Sequence, residues 1–211
     1  MQPVWKVGCV VGALGVAGGS DIAISSYLNK GYSNISERLT GAGYKVLDVN
    51  GDDSEWRKVL VAYNKIREST DIFTGSTATQ ETKPNLISKC KEVLSLNPTE
   101  ETNYTLAKRW CVKEELMKDM LTRNGYTKLV TSSTGNNKPK WLDKVRRLRT
   151  ETKGAHTIAV ELKNNDDQDI AALEVACTAL NIDAVKTHTN KDFEKNYVYA
   201  KEWCYEKNNS Q

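Results

Sequence analysis

Apolar residues from position 56 onward recur every three or four places, at Trp56, Val59, Leu60, Tyr63 and Ile66. That spacing puts side chains on one face of a helix. Asp52, Asp53 and Ser54 stand just ahead of the stripe, and each offers an oxygen to the unpaired N–H groups of a first turn. A second stripe runs through Leu86, Cys90, Val93 and Leu94, and a third through Tyr104, Ala107, Trp110 and Cys111. The same succession then returns. Trp141, Val145 and Leu148 follow Pro139, a residue suited to a first helical turn. Ile170, Leu173, Cys177 and Leu180 echo the second stripe, and Tyr197, Ala200, Trp203 and Cys204 echo the third. Lys45 to Val49 and Thr127 to Thr131 read as brief strands, and Thr157 to Leu162 as a further apolar run of strand character. The pattern predicts a mainly α protein, helical with a few short strands.

The return is a duplication. Asn103 to Cys111, NYTLAKRWC, matches Asn196 to Cys204, NYVYAKEWC, at six of nine positions. Leu39, Thr40, Gly43 and Tyr44 match Leu121, Thr122, Gly125 and Tyr126, while Trp56 matches Trp141 and Cys90 matches Cys177. The offset grows from 82 at Leu39 and Leu121, through 85 and 87, to 93 at Cys111 and Cys204. Loop insertions in the second copy would produce that drift. The chain therefore divides into an N-terminal segment at 1–30 and two tandem, similar α-rich modules at 31–112 and 113–211. Trp56, Trp110, Trp141 and Trp203 are expected in the module cores, since aromatic stripes at helical spacing supply the bulk a small module needs. Cys90 with Cys111, and Cys177 with Cys204, form matching pairs. Outside the cell each pair is a candidate disulfide, and inside it each is a pair of small buried hydrophobes.

The N-terminal segment carries a different signal. Lys6 is followed by Val7 to Gly19, which hold no charged or strongly polar side chain, and Ile22 to Ile24 resume the apolar character past Asp21. A cationic head before an apolar stretch is how a signal peptide or signal-anchor begins. Cys9 lies near the start of this stretch and not after it, the wrong order for a lipid-modified cysteine. The same residues admit an enzymatic reading. Gly12, Gly15 and Gly18 give a glycine-rich loop between a candidate strand and a candidate helix, with Asp48 as a ribose-binding acid. The long separation between the glycines and Asp48, and the lack of strand–helix alternation afterwards, weigh against it.

Composition narrows the chemistry. The 211 residues are 39% hydrophobic and 27% charged, enough apolar content for a packed core. A net charge of +3 with no basic run argues against a nucleic-acid partner. Two His and five Cys, with no C-x-x-C or H-x-x-x-H spacing, give no metal site. No catalytic residue and no cofactor site is expected. His156 and His188 have no counterpart in the first copy and read as exposed loop residues. Lys144, Arg146, Arg147 and Arg149 read as a solvated basic helix face, and Thr74 to Lys83 as a solvated loop.

The stretches ERLTGAGYKVLD and SEWRKVLVAYNKI, the RWCV and EWC endings and the Gly/Ala-rich N-terminus together resemble a paralogous family of uncharacterised proteins of haemotropic mycoplasmas. The resemblance implies a membrane-associated or surface-exposed protein with no enzymatic role to transfer. The leading expectation is an exported or membrane-tethered protein at the cell membrane, its body extracellular, acting as a surface antigen or host-interaction module without catalysis. Its partners would be the membrane, through the N-terminal segment, and a host-cell surface protein. Two alternatives stand beside it: a cytosolic nucleotide-binding, Rossmann-like enzyme using the Gly12 to Gly18 loop, and an intracellular structural or assembly protein.

Overall fold

The structure, a computed structural model, describes residues 31–66, 71–73, 80–131, 137–151 and 156–208. Among the described residues the protein is mainly helical, with eight α-helices and one two-stranded antiparallel sheet. The first half supplies α1 (Ile35–Gly41), α2 (Asp53–Lys65), α3 (Lys83–Leu94) and α4 (Glu101–Trp110). The second supplies α5 (Met117–Arg123), β1 (Tyr126–Lys128), α6 (Lys138–Thr150), α7 (Asp166–Ala179), α8 (Phe193–Tyr199) and β2 (Tyr205–Lys207). A π-helical turn, Ala200–Cys204, joins α8 to β2.

Local chemistry sets the helix ends. Asp52 caps α2 by accepting from the Ser54 N–H at 2.8 Å, and Asn34 and Asn165 cap α1 and α7 through Glu37 and Gln168. Pro84 and Pro139 occupy the first turns of α3 and α6, where a missing N–H costs nothing. α1 and α5 end alike. Ala42 N–H reaches Arg38 O and Gly43 N–H reaches Thr40 O, as Asn124 N–H reaches Met120 O and Gly125 N–H reaches Thr122 O. Gly43 and Gly125 then turn at φ of 89° and 78°, in the left-handed region that an L side chain resists.

Past those turns the chain pairs with the end of its own half. Leu47 N–H donates to Cys111 O at 2.9 Å, and Leu129 N–H donates to Cys204 O at 3.0 Å. Val46 faces Val112 as Lys128 faces Tyr205. The two expected strands differ in extent. Tyr126, Thr127 and Lys128 pair with Lys207, Glu206 and Tyr205, whereas Lys45 to Val49 shrinks to the single bridge at Val46. There the Asp48 carboxylate accepts from Asn50 N–H and bends the chain away. Thr157 to Leu162 joins no strand. Ile158 is buried, with Val160 and Leu162 packed against the core one at a time.

Candidate functional site

The four tryptophans matched by the repeat all lie in the core, none more than 2% exposed. Their indole N–H groups find carbonyls in matched pairs. Trp56 donates to Asp48 O at 2.9 Å and Trp141 to Val130 O at 2.8 Å. Trp110 donates to Asp71 O and Trp203 to His156 O, each at 2.7 Å. The cysteines are joined as Cys90–Cys111 and Cys177–Cys204, with Cα atoms 5.4 and 5.6 Å apart. Each bridge ties the third helix of its half to the chain at the end of the fourth, which in the second half is the π-helical turn.

The halves meet around the first turn of the duplication. Gly43 O accepts from Arg123 at 2.9 Å, and the side chain of Asn124 lies so close to Gly43 that a Cβ there would overlap it. Asn124 in turn donates to the Tyr197 hydroxyl. Tyr44 donates to Glu194 at 2.8 Å, and Lys108 pairs with the same carboxylate. Burial, and then the Glu194 charge, push the Tyr44 phenol well above its ordinary range. Glu115 bridges Lys45 and Arg123 across the junction.

His188 belongs to this junction, which corrects its expected place on an exposed loop. Only 1% of it is exposed. Its ring stacks on Trp110, and its Nδ1–H donates to Arg109 O. The segment around it has no hydrophobic period, so nothing local announces the burial. His156 is half-buried, and its carbonyl serves Trp203.

The basic face of α6 is also corrected. Arg146 is exposed, but Lys144 is 9% exposed and donates to Glu202 O at 2.8 Å. Arg147 donates to the same oxygen and lies over the Trp203 ring at 4.1 Å. At the repeat offset of this helix, Lys144 and Arg147 stand where the first half has Val59 and Ala62. The register of the duplication was therefore a signal that Lys144 faces inward like Val59, with Arg147 half-buried beside it. Arg149 forks onto Asp166 and the fully buried Asp169. Burial opposes the Asp169 charge, yet the Lys163 N–H and Arg149 hold its carboxyl below the ordinary carboxylate range.

A groove of about 540 Å³ opens in the second half, within the size range of small-ligand clefts. Trp141, Leu129, Ile182 and both cysteines of the second disulfide line it, beside the Lys128–Asp183 ion pair. Glu174 and Asn181 on the α7 side stand where the first half carries Ile87 and Leu94. The difference extends to the cystine residues. Cys90 and Cys111 are fully buried, whereas Cys177 is partly exposed.

Among the described residues, no group of three His, Cys, Asp or Glu side chains is placed to hold a metal ion. No helix among them is long and apolar enough to cross a membrane. The signal or anchor reading of 1–30, and the nucleotide loop at Gly12, Gly15 and Gly18, lie outside the described residues. The carboxylate of Asp48, the acid of that nucleotide reading, accepts from the Asn50 N–H, and its backbone carbonyl accepts from Trp56. No protein-family model, curated protein or solved structure matches the chain.

Proposed function

We propose that the protein is exported or membrane-tethered and works by surface contact, as an antigen or host-interaction module, rather than by catalysis. The observation that carries this reading is the pair of matched cystines, Cys90–Cys111 and Cys177–Cys204. Such bridges persist in oxidising surroundings and are rare where glutathione keeps thiols reduced. The duplicated tryptophans and sulfurs support the non-catalytic part, since they serve as core and cross-link. The apolar stretch Val7 to Gly19 behind Lys6 supports an export signal or anchor. The resemblance to a paralogous family of uncharacterised proteins of haemotropic mycoplasmas supports the same reading, with a host-cell surface protein as partner.

Protease treatment of intact cells carrying the full chain tests this. We expect cleavage beyond residue 30 while a cytosolic marker stays whole. Full protection until the membrane is broken would reject the proposal.

A further inference from the structure

The two disulfides are matched by sequence but not by access. Cys90 and Cys111 are both 0% exposed. Cys177 is partly exposed, and together with Cys204 it lines the groove beside Trp141. Thiol–disulfide exchange begins with a thiolate approaching one sulfur, so access decides which bridge reacts and at which atom. Cys204 is 2% exposed, so of the two bridged residues Cys177 is the more accessible.

We propose that the groove makes Cys177 a thiol-exchange site: a small thiol enters, attacks Cys177 and leaves Cys90–Cys111 intact. In the first step the thiolate forms a bond to Cys177 Sγ, the Cys177–Cys204 bond breaks, and Cys204 departs as a thiolate. A second thiol attacking the mixed disulfide then frees Cys177 and releases the oxidised thiol dimer, so two electrons pass from two thiols to the bridge. The groove fits a compact reagent, an aminothiol or a short cysteine peptide, because its volume is about 540 Å³. Lys128, Glu174 and Asp183 line the groove, and because Lys128 is paired to Asp183 the lining carries one negative charge in excess, which favours a cationic thiol over an anionic one.

The difference between the halves supplies the control. Glu174→Ile with Asn181→Leu brings the first half's residue types, Ile87 and Leu94, to the groove wall and adds bulk there without replacing either cysteine, the leucine working against the φ of 50° at position 181.

The test is limited reduction of the oxidised full chain by cysteamine under native conditions, with timed alkylation and peptide mapping. We expect Cys177 and Cys204 to be alkylated at least about tenfold faster than Cys90 and Cys111, with the cysteamine adduct trapped on Cys177. The filled variant, once its near-ultraviolet circular dichroism matches the parent, should lose most of that advantage. Equal rates, prior opening of Cys90–Cys111, an adduct on Cys204 alone, resistance of both bridges, or an unslowed filled variant would each overturn the proposal. If the variant does not fold, the parent's rates and adduct position decide alone.

Discussion

His188 of the second half lies stacked on Trp110 of the first, ring centroids 6.0 Å apart and planes inclined by 12°. The Arg109 carbonyl needs a donor, so Nδ1 carries a proton. Nε2 is buried with no partner among the described residues. The neutral ring therefore suits the junction, and charging it would bury a second donor. Burial holds the His188 pKa below its ordinary 6.5, against the Arg109 carbonyl and the Glu114 carboxylate, which favour the charged form.

Stability should therefore depend on pH with a definite sign. Between the lowered folded value and the ordinary 6.5 of the unfolded chain, the unfolded state binds more protons. Stability falls as pH falls through that window and levels off below it. Urea titrations at several pH values, compared with His188→Phe, isolate the effect. We expect the parent to lose stability on acidification by more than the variant, and parallel profiles would contradict the role assigned to His188.

The tryptophans make a matched prediction. Trp110→Ala and Trp203→Ala should each cost about 3–5 kcal/mol by urea unfolding with the disulfides intact. Both rings are fully buried and both lose a bond to a carbonyl. A cost below about 1 kcal/mol at either position would place that ring outside the core.

Each disulfide closes a loop of similar length, with sequence separations of 21 and 27. Replacing either pair by alanine should cost about 3 kcal/mol on the chain-entropy account. Calorimetry or urea melts of the two double variants check the size and the near equality.

Arg147 and Arg146 are neighbours on α6 with opposite roles. Arg147→Ala loses the Glu202 contact and the ring of Trp203, and should cost about 1–2 kcal/mol. Arg146 is exposed, its one ion pair among the described residues stretched to 3.9 Å, and its alanine variant should stay within about 0.5 kcal/mol of the parent. Equal costs in urea melts would return this helix face to solvent.

The helices were legible because burial imposes a period on sequence: Trp56, Val59 and Tyr63 announced α2, and Pro139 announced the start of α6. The strands were legible in part: Thr127 to Thr131 overlaps β1 and Lys45 to Val49 holds the bridge at Val46, but their extent is set by distant backbone partners, and Lys128 meets Tyr205 only after the whole second half has closed. His188 and Asp169 stayed hidden for another reason. Each is a polar residue whose burial depends on one partner far along the chain, Arg109 or Arg149, and such pairs leave no local pattern. Lys144 was half legible: its charge suggested solvent, while its alignment with Val59 pointed inward. The groove arises where Glu174 and Asn181 interrupt a duplicated apolar pattern, a difference that acquires meaning only when both halves are laid side by side.

Twin cystines cross-link the duplicated scaffold, and their persistence in the cell marks the oxidising setting that we propose. Thiol blocking in intact cells, followed by non-reducing peptide mapping of the native protein, tests it most directly. We expect linked peptides joining Cys90 to Cys111 and Cys177 to Cys204, with at most the second pair partly open. Four blocked, unlinked cysteines would contradict both the cross-linked scaffold and the exported location proposed from it.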